Sequence, residues 1–149
     1  MSRAWGKRAL ILAFVLGWSM PLEARAPQGR FTVSATGETV KDEVTGLVWQ
    51  RAVSAGSYTW AAAESYCQSL NLGGWSTGWR PPSAKELVSI VDYRSHGPAI
   101  DTAVFPGTPS EAFWSSGNNP NIGSGRWIVE FDRGATHNNN LPVRVRCVR

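Results

Sequence analysis

Thr59-Trp60-Ala61-Ala62-Ala63-Glu64-Ser65-Tyr66-Cys67-Gln68-Ser69-Leu70 is the stretch on which the fold turns. Trp60, Ala63, Cys67 and Leu70 recur at three- and four-residue steps, which is the spacing of one face of an α-helix. Thr59 offers an N-cap hydroxyl, and Gly73-Gly74 is a stop signal. The stripe places Cys67 on the buried face. The sequence has 2 Cys, and the other lies in Val143-Arg144-Val145-Arg146-Cys147-Val148. Alternation there predicts a strand with Val143, Val145 and Cys147 on the core face and Arg144 and Arg146 on the opposite one. Both sulfurs are therefore expected to face the interior.

Upstream, residues 1–26 read as a secretory signal peptide. Arg3, Lys7 and Arg8 form a positive start, Ala9 to Trp18 an apolar run too short to span a bilayer, and Ala24-Arg25-Ala26 a small-x-small cleavage site. Residues 27–38 are an N-terminal lead, and residues 39–149 form the folded domain. The expected location is secreted or periplasmic, with no membrane span after cleavage. Two cysteines in an oxidising compartment predict a Cys67–Cys147 bridge. Closing a loop of that length is worth about 4.5 kcal/mol in the chain-entropy treatment. The whole chain carries +4, but beyond residue 26 eleven cations face ten carboxylates. The basic balance belongs to the leader, which removes the electrostatic footprint of a nucleic-acid partner.

Downstream and between, the remaining elements are short. Phe31 to Val40 reads as an edge strand or hairpin arm, Thr45-Gly46 as a turn, and Leu47 to Arg51 as a strand. Trp79-Arg80-Pro81-Pro82 leads stiffly into a second helix, where Ser83 and Glu86 make a capping box and Leu87, Ile90 and Val91 an apolar stripe. Residues 92–110 lose all period. Ala112 to Ser116 and Arg126 to Phe131 read as strands, the second with Trp127, Val129 and Phe131 on one face. His137-Asn138-Asn139-Asn140 reads as a polar loop tip. The class is α+β, with one small antiparallel sheet, two helices, a long irregular loop region and one disulfide. The 8 Trp are a surplus for this length, mostly core with some left for a site.

Taken in order, Asp42-Glu43-Val44-Thr45-Gly46-Leu47-Val48-Trp49-Gln50, Thr59-Trp60 through Tyr66-Cys67, Gly78-Trp79-Arg80-Pro81-Pro82-Ser83, Pro98-Ala99-Ile100-Asp101 with Phe105-Pro106, Phe113-Trp114-Ser115-Ser116, Trp127-Ile128-Val129-Glu130-Phe131 and Val145-Arg146-Cys147-Val148-Arg149 resemble the Lcl C-terminal domain family of bacterial exported proteins. The likeness runs from about Thr39 onward. It implies a C-type lectin-like fold, a twisted sheet flanked by two helices, related to formylglycine-generating enzymes, and it implies the same bridge. One member is an adhesin domain that binds sulfated glycosaminoglycans as a trimer behind a collagen-like stalk. The present sequence holds no collagen-like triplets, so neither the trimer nor that preference is carried over.

The lectin-like long loop would span residues 92–125. There Asn118, Asn119 and Asn121 carry amides suited to sugar hydroxyls and carbonyls suited to calcium. The run is not the Glu-Pro-Asn or Gln-Pro-Asp of calcium-dependent sugar binders, and a plain turn is its simpler reading. No metal site and no cofactor are expected. Trp114 is a buried aromatic first and a sugar-stacking platform second. Asp101 pins its loop. Arg126, Arg144 and Arg146, with Arg133 and Arg149, could form a guanidinium patch for sulfate or carboxylate, against the simpler reading of cross-strand pairs with Glu130 and Asp132. Catalysis has little material: both thiols are committed, His96 and His137 lie apart, and there is no G-x-S-x-G elbow. The expected function is an exported, lectin-like, non-catalytic recognition module for a glycan or other cell-surface ligand. The alternative is a protein–protein module in an envelope or appendage assembly, and an enzyme related to formylglycine-generating enzymes stands third. N-terminal sequencing of the exported protein is expected to begin at Arg25 or Pro27; a start at Met1 would show that the leader is not removed.

Overall fold

The computed structural model describes residues 29–118 and 125–149. Its elements run β1 (Phe31–Val33), β2 (Thr39–Asp42), β3 (Val48–Gln50), α1 (Trp60–Gln68), α2 (Ala84–Ser89), β4 (Ala112–Asn118), β5 (Arg126–Glu130) and β6 (Ala135–Asn139). Where one sheet was expected there are two, each antiparallel and three-stranded, ordered β1-β2-β3 and β4-β5-β6.

Both helices begin where the caps predict. The Thr59 hydroxyl accepts from the Ala62 amide at 3.3 Å. At α2 the capping box is complete: Glu86 N–H donates to Ser83 Oγ (3.2 Å), and Ser83 N–H donates to Glu86 Oε2 (2.7 Å). Helix α1 stops at Gln68, with Ser69 as its C-cap, earlier than the glycine pair suggests. Gly73 and Gly74 instead supply positive φ to a tight turn in which Leu72 and Trp75 exchange backbone bonds at 3.0 Å. A side chain at position 73 would also collide with Thr39, 2.6 Å from its Cγ2.

The largest departures from the sequence reading are at the chain's end. Residues 143–149 do not form a continuous strand. They pair one residue at a time with different neighbours: Val143 with Tyr58, Arg144 with Phe113, and Val148 with both Trp49 and Arg80. The segment thus stitches β3 to β4, and single-residue bridges in changing company are invisible to an alternation rule. Conversely, most of the expected loop tip at residues 137–140 belongs to β6, which pairs with β5 over five positions from Glu130–Ala135 to Arg126–Asn139. Its side chains are largely exposed, so it carries no apolar period to betray it. The hairpin turns at Gly134, where φ is +77° and a Cβ would stand 2.5 Å from Val91 Cγ1.

The core has two parts, one on each side of the β4-β5 pair. Trp114 and Ile128 join Ala63, Trp79, Val145 and the two cysteines on the α1 side. Phe113, Val129 and Phe131 join Val40, Trp49, Leu87, Ile90 and Phe105 on the α2 side. Alternation along β5 thus feeds both clusters, not one. The Cys67–Cys147 disulfide is formed and lies wholly within the first cluster. The irregular residues 92–110 are tied to the sheet by the Ala99 N–H to Phe131 carbonyl bond (2.6 Å) and by Asp101, whose Oδ1 accepts from Ala103 and Val104. Asp101 does pin its loop. Among the described residues, no helix is long and apolar enough to cross a membrane.

The Arg80 guanidinium forks onto Glu86 at 2.8 and 2.9 Å. Together with the Ser83 amide, it holds the Glu86 carboxyl at about 2 against an ordinary 4.5, with desolvation opposing. A carboxylate whose folded value lies below its unfolded one stabilises the fold fully above the unfolded value and loses that contribution as pH falls toward the folded one. Glu86→Gln is therefore expected to flatten the fall in the urea midpoint between pH 4.5 and about 2. An unchanged pH profile would show that the box contributes nothing.

Candidate functional site

The arginines separate the sequence reading from the structure most sharply. Arg144 is not on an open face. Its Nε and Nη2 pair with Glu111 at 2.8 and 3.3 Å, and its Nη1 donates to the carbonyls of Ser54 and Ala55. Arg146 is fully buried. Its Nη1 donates to the Gln50 and Arg51 carbonyls (2.7 and 2.6 Å), its Nη2 to Thr108 Oγ1 (2.6 Å), and its guanidinium lies over Phe105 at 4.8 Å. Burial pushes its pKa down to about 9. The guanidinium patch is thereby corrected: Arg146 meets the end of β3 and the long loop instead of solvent, and Arg144, only partly exposed, is taken up by Glu111 and the backbone of residues 54 and 55. Arg133 pairs with its neighbour Asp132. Glu130 faces His137 at 3.5 Å, so of the two carboxylates expected to pair with the arginines Asp132 does so, with its chain neighbour Arg133, and Glu130 does not.

Trp114 is 1% exposed, and its Nε1 donates to the Tyr58 carbonyl at 2.7 Å. It is core, and the platform reading is set aside. The aromatic nearer the surface is Trp60, which lies on the helical stripe and packs against the edge of the α1-side cluster. It opens α1 and is half-buried, its Nε1 is fixed to the Ser115 carbonyl at 3.0 Å, and the Arg126 guanidinium stacks on its ring at 3.8 Å. Its position in the first helical turn is the one sequence clue, since a bulky residue there projects past the packed stripe.

Arg126 sits in a cross-strand row. Asn118 of β4 and Asn139 of β6 are its direct register partners, and directly paired residues share a face. The row therefore presents an amide, a guanidinium and a second amide beside the Trp60 ring. Asn139 is oriented by the Leu141 backbone, donating to its carbonyl (2.9 Å) and accepting from its amide (3.1 Å). Asn118 is exposed. Asn119 and Asn121 lie outside the described residues. Of the seven ligand-binding candidates, then, the structure brings Asn118 and Arg126 together, places Trp114 and Arg146 in the interior and ties the partly exposed Arg144 to Glu111.

Chemically the row offers an aromatic wall, in-plane guanidinium donors, and amides that both donate and accept, which together serve polar, hydroxyl-rich ligands. Among the described residues no group of three or more His, Cys, Asp or Glu is gathered for a metal ion. A groove of about 450 Å³ lies elsewhere, lined by Thr45, Leu47, Ser83, Lys85, Glu86 and Ser89. Its carboxylate is saturated by Arg80 and the helix cap, which leaves it little chemistry.

With this geometry in place, the comparisons give the lineage. The Lcl C-terminal domain family matches residues 38–149, and the chain belongs to that family. No curated protein matches the chain.

Arg146→Met is expected to lower unfolding stability by about 3 kcal/mol, because it strands buried carbonyls at Gln50 and Arg51 without donors. Urea denaturation reads the change, and a loss under about 1 kcal/mol would show that the cation's own burial cost had cancelled its bonds.

Proposed function

We propose that this Lcl C-terminal domain protein is an exported, lectin-like, non-catalytic recognition module that binds a glycan on a cell surface. The observation that carries the proposal is the Arg126–Trp60 stack flanked by Asn118 and Asn139. The Arg126 guanidinium over the indole and the amide edges beside it offer donors and acceptors to sugar hydroxyls, and the part of the half-buried ring that Arg126 leaves uncovered adds apolar area. Such groups work best when held in place. Here Trp60 is fixed through Nε1, Asn139 through Leu141, and the strands that carry the row through the hairpin ladder.

The C-type lectin-like assignment belongs to the same proposal. It rests on the two-helix α+β plan, the long irregular stretch packed against the sheet, and a disulfide from the first helix to the closing segment. Export is supported by that disulfide, which suits an oxidising compartment, and by the charged and apolar pattern of residues 1–26. The non-catalytic reading draws support from the commitment of both thiols to the bridge, which removes cysteine-based chemistry.

A second reading, a module that docks a protein partner, draws on Leu141. This side chain is 67% exposed directly beyond the Asn139 turn, and an exposed leucine suits a protein partner better than a sugar. A broad glycan array probed with the purified protein separates the two. Glycan binding that Trp60→Ala and Arg126→Gln each weaken by about tenfold or more, while Leu141→Ala has no effect, is the expected result. An empty array, with a protein partner captured in a Leu141-dependent way, would overturn the glycan reading.

A further inference from the structure

Most cations among the described residues are answered. Arg30, Lys41, Arg80, Arg94, Arg133 and Arg144 meet carboxylates, and Arg51 and Arg146 are held by carbonyls. Arg149 is answered by neither. Among the described residues no carboxylate or carbonyl accepts from its guanidinium, yet the residue is tightly placed. Its backbone exchanges two 2.9 Å bonds with Val48. Its guanidinium lies 3.6 Å from the centroid of the Trp75 ring and beside Gly78, where even an added Cβ would come only within 3.8 Å of Cζ.

Trp75 is itself unusual. It is 45% exposed on a loop that is fixed at three points: the paired Leu72–Trp75 backbone bonds, the Trp79 Nε1 bond to the Trp75 carbonyl (3.1 Å), and the close contact of Gly73 with Thr39. A large indole left in solvent forgoes much of its burial free energy, and a rigid loop leaves it no route to recover it. Beside it stands a planar fork of N–H donors without an acceptor. A fork of that shape matches a carboxylate through two parallel N–H···O bonds.

We propose that Trp75 and Arg149 form a second glycan site, built from elements separate from the Trp60–Arg126 row, that takes a carboxylate-bearing sugar. The carboxylate of a uronate unit pairs with the Arg149 fork, and its pyranose lies against the exposed part of Trp75. This inference rests on the glycan-binding reading above and adds to it a ligand class and a second point of attachment.

The experiment is a titration of the full chain with trigalacturonate and with its methyl ester, followed by calorimetry and by the tryptophan indole N–H signals in NMR. The Trp75 indole signal is expected to move with the acid and not with the ester. Arg149→Gln and Trp75→Ala are expected to weaken binding of the acid by about tenfold or more, and Arg149→Lys, which keeps the charge but loses the fork, should weaken it as well. Arg133→Gln serves as the charge control and is expected to change affinity less than about twofold. Equal binding of the ester, or a response lost in Trp60→Ala and kept in Arg149→Gln, overturns the second site and leaves the glycan reading standing. Displacement by acetate or by a peptide carboxylate at equal concentration overturns the sugar assignment. If neither this acid nor any neutral glycan binds, the reading on which the inference rests falls as well.

Discussion

One buried guanidinium governs how the parts of this molecule meet. Arg146 lies at zero exposure with no carboxylate paired to it among the described residues, and its donors reach the end of β3 and the hydroxyl of Thr108 in the long irregular stretch. A cation in such a place is costly and is tolerated only where fixed dipoles replace its water. Carbonyls at Gln50 and Arg51 do this only if β3 ends where it does, and Thr108 only if the stretch before β4 folds back over Phe105. Next to it in sequence, Cys147 makes the covalent tie to α1. One side of the closing segment thus fixes the helix and the other fixes the loop, and β4 and β5 are sandwiched between the two clusters that result.

How far the sequence reveals this depends on the physics of each element. The helix caps at Thr59 and Ser83 are local chemistry, written in adjacent residues, and they hold in the structure. The bridge was legible because only two thiols exist and both lie on apolar stripes. β6 was not legible, because a strand whose side chains mostly face water has no period to detect. The fate of Arg144 and Arg146 was hidden for another reason. Alternation tells which residues share a face but not what lies against it, and here the face opposite Cys147 is packed as well. Trp114 and Trp60 illustrate the same limit from the other side. Each is an aromatic in an apolar pattern, and only the tertiary arrangement shows that the first is interior while the second lies beneath Arg126 near the surface.

Both exposed arginine–tryptophan stacks follow from the framework. Trp60 is available because it opens α1 at the edge of the packed stripe, and Arg126 reaches it because β5 is held in register on both sides. Trp75 is available because a glycine pair turns the chain sharply against Thr39, and Arg149 reaches it because its backbone is bonded to Val48. In each stack the π-face of the indole holds the guanidinium close to the ring centroid, at 3.8 Å for Arg126 and 3.6 Å for Arg149. The same residue pair is thereby produced twice from unrelated parts of the fold.

The stitching role of residues 143–149 also bears on the order of events during biogenesis. Val145, Arg146, Cys147 and Val148 are all buried, and each completes a neighbourhood begun far earlier in the chain: α1, β3, Arg80 and the long loop. While a ribosome is still making the preceding residues, neither cluster is closed and the bridge has no second thiol. Because the closing contacts lie in residues 143–149, neither hydrophobic cluster is completed and no disulfide can form until that segment has been made and has docked between β3 and β4.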